Sequence, residues 1–343
     1  MFSRRTMLYA VATLALFALT VTAGKGGKPK PPPPPPSQAD PAILYTVTPG
    51  KGRGDYEQSK HEIWVMNDDG SNQTPIITYE THGLYPSGSP QWSDDNTRFV
   101  FRGRPVVVGE PLDLYVSEID GSNVTRVLDG DSFRGIGVAM DWLPGQAAED
   151  EWIIFSGWLD EGNREDLYAI RSDGTGLVQL TNTPERYETW PCVSPDGTFV
   201  VYRTSYDTGG YSRVYRGMLG TDGGVPVITG EECLTDIAGT TLASRNCFRP
   251  RIDPTGTYVL LRTGSPNNYR WLVPLANPAA AWRTPIPPER GGTASWLDPD
   301  TVVYEFENSL VKTDVFSGEE TIIASFGKTP VGYPTARRWD GDL

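Results

Sequence analysis

One element recurs along this chain about every 50 residues. It is a short turn that ends one strand and leads straight into another. Six copies are present: "QWSDDN" at 91, "DWLPGQ" at 141, "CVSPDG" at 192, "RIDPTG" at 251, "SWLDPD" at 295 and "RWDGDL" at 338. The first five lead into "RFVF", "EWIIF", "TFVVY", "TYVLL" and "TVVYE". Runs this rich in β-branched and aromatic residues favour strands covered on both faces. Ser-Pro-Asp-Gly at 194–197 suits a type I turn, because proline pre-sets φ while Ser and Asp bond the nearby backbone. A second turn keeps the same interval through Gly70, Gly121, Gly174, Gly223 and Gly318, in steps of 51, 53, 49 and 95 residues. The double step spans "PLANPAAAW", where the glycine turn has degraded. Each unit reads strand, turn, strand, loop, strand, turn, strand. That pattern and period predict an all-β, six-bladed propeller.

The two ends of the chain complement each other. "RWDGDL" closes the sequence just after an inner strand, and the strand that should follow is found at the start, as "AILYTV" (42–47). The N-terminal strand is therefore expected to complete the last blade and close the ring, leaving no long open edge. Six blades of about 50 residues occupy 42–343 and leave no length for a second domain.

The motifs "P-x-W-S-D-D" and "V-S-P-D-G" before an apolar strand, followed by "DLY", a "DG" turn and "QLT", resemble the PD40 or TolB-like propeller repeat. The third unit, "DLYAIRSDGTGLVQLTNTPERYETWPCVSPDGTFVVYRTS", carries the resemblance most fully. The resemblance implies the propeller fold over about 300 residues. It implies no particular activity. TolB itself has an α/β domain before its propeller, and this chain resembles the propeller alone.

What precedes residue 42 reads as export machinery. Arg4 and Arg5 are followed by the apolar "MLYAVATLALFALTV" and by "VTA" before Gly24, the layout of a secretory signal peptide over residues 1–23. The stretch is short for a membrane span, and "SRRTML" leaves both Sec and twin-arginine export open. "GKGGKPKPPPPPPSQAD" then forms a tether over 24–41, extended by its polyproline run. The expected location is periplasmic or secreted, with no membrane span after leader cleavage. Loss of Arg4 and Arg5 takes the formal net charge from −13 to −15. Such an acidic chain excludes nucleic acid as the main partner, since phosphate binding needs a basic face.

Function is expected on the longer, variable loops, because the tight turns of the opposite face are uniform. Four blade connections carry an arginine six to eight residues before the end of the inner strand: Arg134, Arg186, Arg245 and Arg290. Tyr85, Phe133, Tyr187, Trp190 and Tyr333 accompany them. A ring of arginines around the channel mouth would suit a carboxylate or an acidic peptide end. Glu185, Glu188, Glu231 and Glu289 lie beside them, so ordinary surface pairing is the competing reading. The two histidines, His61 and His82, fall in loops, and no G-x-S-x-G nucleophile motif occurs. "NDDGSN" and "EIDGSN" read as turns rather than calcium loops, because the distal glutamate is missing. No metal or cofactor site is expected. Trp92, Trp142, Trp296 and Trp339 are assigned one structural position, packing blade on blade. Cys233 and Cys247 bracket an insertion and are expected to form a disulfide in an exported protein, with Cys192 a buried thiol. The reading is a non-enzymatic module binding a protein or peptide, with a glycan as the other ligand class. The rival is a polysaccharide or cell-wall hydrolase or lyase using channel carboxylates.

Overall fold

In the computed structural model, which describes residues 42–49, 61–105, 111–145, 151–159, 164–205, 210–264, 268–288 and 292–339, the strands form six antiparallel sheets of four. The leader, the tether and Arg290 lie outside the described residues. No helix among the described residues is long and apolar enough to cross a membrane. The inner strands are Leu84–Trp92, Gly135–Leu143, Tyr187–Val193, Cys247–Ile252, Ala294–Trp296 and Val331–Ala336. We number the blades 1 to 6 in that order. Residues from all six inner strands line one cavity, which places these strands around a common axis.

Blade 6 joins the two ends, as the sequence predicts. Its inner strand Val331–Ala336 pairs antiparallel with Ala42–Val47, and Glu62–Asn67 and Thr74–Ile77 complete the sheet. Side chains also tie the ends, two threonines among them. Thr46 Oγ1 donates to Gly332 O at 2.9 Å, and Thr335 Oγ1 donates to Pro90 O at 2.7 Å.

The turn residues act as their chemistry requires. In blade 3, Ser194 Oγ donates to Asp196 Oδ1 at 2.7 Å, Gly197 N–H closes on Ser194 O at 2.9 Å, and Gly197 takes a φ of 71°. The second-turn glycines have an additional reason to be glycine. Gly70 and Gly121 both have φ of 83°, and a Cβ on them would lie 1.9 Å from Ile323 O and 2.2 Å from Ile76 O. Those carbonyls belong to the outer strands of the preceding blades, so the repeated glycine records how closely neighbouring blades approach.

One hydrogen bond crosses every blade interface at the lower end of the inner strands. Three come from indoles. Trp92 Nε1 donates to Thr335 O (3.0 Å), Trp142 Nε1 to Gln91 O (3.1 Å) and Trp296 Nε1 to Arg251 O (3.2 Å). The other three interfaces use a side-chain acceptor. Val193 N–H donates to Asp141 Oδ2 (2.8 Å), Ile252 N–H to Cys192 Sγ (3.4 Å) and Ala336 N–H to Ser295 Oγ (3.0 Å). Blade-on-blade packing thus holds for three of the four tryptophans. Trp339 is a correction. Ala336, paired with Ile43, occupies the blade 6 position that Trp92, paired with Phe99, fills in blade 1. Trp339 lies three residues further on.

The cysteines are all free thiols in the structure. Burial raises the Cys192 thiol to about 11 and the Cys247 thiol to about 12. Cys233 ends a blade 3 strand opposite Tyr215, and Cys247 opens the inner strand of blade 4 with its N–H on Ser212 O at 3.0 Å. Their bridging is a proposal.

Candidate functional site: the central channel

The inner strands are not regular. In blades 6, 3 and 4 the register slips at the dipeptides Tyr333-Pro334, Trp190-Pro191 and Arg249-Pro250. Proline has no N–H to offer the ladder, so it sits well at a bulge. The residue before it takes positive φ in each case: 49° at Tyr333, 58° at Trp190 and 52° at Arg249. Blade 1 has the same proline at Pro90, with Gly88 at φ 85°. L-residues rarely adopt this region, and it concentrates where a side chain must be aimed. Here the aimed side chains meet across blades. The Arg249 guanidinium lies 5.0 Å from the Trp190 ring centre, Arg251 lies 6.0 Å from it, and Arg249 Nη1 donates to Thr293 Oγ1 at 3.1 Å.

Level with the bulges, three second strands carry an arginine straight after their apolar run: "FVFR" at Arg102, "VVYR" at Arg203 and "VLLR" at Arg262. The equivalent residues elsewhere are Ser156, Glu305 and Thr46. These side chains reach toward the next blade. Arg102, 9% exposed, donates from Nη1 to Ile136 O at 2.5 Å and from Nε to Ser87 O at 3.1 Å. Burial pushes it down to about 10, against the pull of Tyr333 and Glu165. Arg203 lies over the Phe248 ring at 4.8 Å. Glu165 sits between Arg102 and Arg203 electrostatically and accepts from Ser156 Oγ at 2.7 Å, yet burial still raises its pKa. Burial raises Glu305 too, although Oε1 accepts the Thr293 N–H at 3.0 Å and Arg249 and Arg270 lie nearby. Arg102, Arg203, Arg249 and Arg262 thus face Glu165 and Glu305, an excess of cation inside an acidic protein. Aligning the repeats would have shown both signals, the arginine after three of the apolar runs and the X-Pro of four inner strands.

The residues chosen from sequence fare unevenly. Trp190 and Tyr333 belong to the bulge set. Tyr85 stacks on Tyr79 at 4.9 Å, and Tyr187 lies under Arg164 at 4.8 Å. Phe133 is a core residue, packed edge-on against Phe155 and Tyr168. Arg134 is exposed and Arg245 half-buried in their connections. Arg186 turns to its own blade. It pairs with Glu188 (3.2 Å) and Glu231 (2.9 Å) and covers the Tyr215 ring at 4.8 Å. Burial opposes its charge, but these glutamates raise its pKa overall. His61 is bonded to Thr48 Oγ1 and His82 to Gly121 O, both at 2.9 Å. Asp69 and Asp120 accept from Ser71 and Ser122 N–H at 2.8 Å, which makes both acidic stretches turns. Among the described residues no cluster of three or more His, Cys, Asp or Glu could hold a metal.

At the opposite end of the channel, below the bulges, is a cavity of about 200 Å³. Its wall includes one residue from each inner strand: Gln91, Asp141, Cys192, Arg251, Ser295 and Thr335.

Among solved structures, TolB from Acinetobacter baumannii superposes with a TM-score of 0.65 at 14% identity, covering 86% of this chain and 66% of that one. The fold is that of a TolB-type propeller. The Kuenenia stuttgartiensis hydrazine synthase matches at TM-score 0.62 and 14% identity, over 87% of this chain and 46% of that one. A chain of the nidogen/laminin complex matches at 0.59 and 9% identity, over 86% and 98%. This propeller therefore spans just under two thirds of the TolB chain and under half of the synthase chain. No family model matches the sequence, and no curated protein matches it.

Proposed function

We propose that this is an exported, periplasmic or secreted, non-enzymatic propeller that admits a carboxylate-bearing segment of a protein partner at the loop-rich end of its channel. The observation that carries this reading is the bulge set, in which three inner strands hold Tyr333, Trp190 and Arg249 at positive φ beside an excess of arginine. Tyr, Trp and Arg dominate binding hot spots, and a rigid ring avoids the cost of ordering them on binding. The propeller likeness to a chain of the nidogen/laminin complex supports a protein partner. Arg134, Arg186, Arg245, Arg290, Tyr85 and Tyr187 flank the mouth as the outer part of the same proposal. Trp190→Ala and Arg249→Ala should each weaken a partner isolated by crosslinking from the host envelope by about tenfold or more, with little change in melting temperature. Unchanged affinity in both variants would remove the basis of the reading.

A second reading has one observation in its favour. Glu165 and Glu305 are half-buried carboxylates with raised pKa beside arginines, the setting in which a carboxyl serves as a general acid. Turnover of a polysaccharide that vanishes in Glu165→Gln or Glu305→Gln would decide for an enzyme.

A further inference from the structure

The six channel residues at the lower end of the inner strands differ in what their side chains do. Asp141, Cys192 and Ser295 each accept a backbone N–H from the next blade. Gln91 donates to Ser89 Oγ at 2.9 Å and Thr335 to Pro90 O at 2.7 Å. Arg251 is the exception. Its interface is served by its carbonyl, which accepts from Trp296, and its side chain is left over. It is 8% exposed, Nη1 has only a 3.5 Å contact with Pro250 O, and Nη2 is buried with no hydrogen-bond partner among the described residues. A buried guanidinium needs an anion or a full set of acceptors.

The other charged groups of the cavity it lines do not supply that anion among the contacts seen. Arg338 is already engaged, with Asp141 at 3.2 Å, Asp94 at 3.7 Å and Trp142 O at 2.8 Å. The lining contains Arg251, Arg337 and Arg338 together with Asp94 and Asp141. The rest of the wall mixes polar Gln91, Asn96, Ser295 and Thr335 with an apolar part that includes Trp296, Trp339, Ile252, Pro195 and Pro254. Its volume of about 200 Å³ equals the share of some seven liquid waters, room for a small organic acid.

We propose that Arg251 anchors a site for a small monocarboxylate with a flat apolar body, at the end of the channel opposite the loops. The carboxylate takes the two outward N–H groups of the guanidinium, and the body lies between Trp339 and the proline walls. The site lies at the end of the channel away from the loops; its one link to the bulge set is Arg251, 6.0 Å from the Trp190 ring centre, and the benzoate test on Arg251 variants is read separately from partner binding, so either proposal can fail alone.

The test uses the whole protein and benzoate as probe, with benzamide as its neutral counterpart, read by tryptophan fluorescence and by the arginine side-chain resonances in NMR. Saturable benzoate binding is expected, with the Arg251 signal moving and benzamide bound about ten- to a hundredfold more weakly, as for loss of one charge-assisted pair. Arg251→Met should weaken benzoate by a similar factor. Arg251→Lys, which keeps the charge but not the planar fork, should fall between and guards against misfolding of the first variant. Equal binding of benzoate and benzamide, unchanged binding in both variants, or no saturable binding at millimolar probe would overturn the proposal. So would binding seen only after Asp340→Asn and Asp342→Asn, since the arginine's anion would then come from the chain itself.

Discussion

Thr335→Val examines the closure of the ring with a single buried hydroxyl. Thr335 is 4% exposed on the inner strand of blade 6, and its Oγ1 reaches Pro90 O, 245 residues away in the chain, at 2.7 Å. Its own carbonyl accepts the Trp92 indole at 3.0 Å, and valine leaves that bond in place. The substitution therefore keeps the shape and removes one donor from a buried carbonyl, which costs about 1–3 kcal/mol. For a domain this large, that loss lowers the melting temperature by about 2–6 °C. The assay is differential scanning calorimetry beside Thr46→Val, which removes the side-chain bond from the first strand to Gly332 O. Both variants should melt in one transition, lower than the parent. A Thr335→Val protein that melts with the parent would show that this contact does not hold the ends together.

Three further outcomes follow from the packing. Gly121→Ala places a Cβ at positive φ, 2.2 Å from Ile76 O, and should lower the urea midpoint by the equivalent of about 2 kcal/mol or more; an unchanged midpoint would contradict the close approach of blades 1 and 6. Glu188 is fully buried, and burial with the Asp166 side chain beside it raises its pKa to about 7 despite Thr183 and Arg186. A carboxyl raised on folding favours the folded state when protonated, so its contribution is fullest below about pH 4.3 and is lost as pH rises through 7. Urea midpoints across that range should decline less in Glu188→Gln than in the parent; parallel curves would assign the pH dependence elsewhere. In the exported protein, non-reducing peptide mapping should find Cys233 linked to Cys247 and Cys192 free, a 15-residue loop worth about 3 kcal/mol in the chain-entropy model; three free thiols would reject the bridge.

The fold was legible because its causes are local and repeated. A turn rich in Asp, Pro or Gly recurs in every repeat, a second turn built on glycine recurs in five of the six, and their spacing counts the blades. The site was less legible because distance along the chain says little about where a long side chain goes. Arg186 stands at a depth similar to Arg245, yet its guanidinium is drawn to Glu231, 45 residues on, in the outer strand of its own blade. Trp339 matches the other tryptophans in its motif, but the last inner strand ends at Ala336, three residues before it. Trp190 and Tyr333 were found for their type and place, and the reason they matter, a left-handed bulge before proline, needed the backbone.

The central claim is that the channel-facing inner strands bind the partner. Hydrogen exchange with and without the crosslink-identified partner measures this directly. The account predicts slowed exchange in Tyr187–Val193, Cys247–Ile252 and Val331–Ala336, with the outer strands Thr125–Leu128 and Glu320–Ser325 unchanged. Protection of those outer strands with the three inner strands unaffected would contradict it.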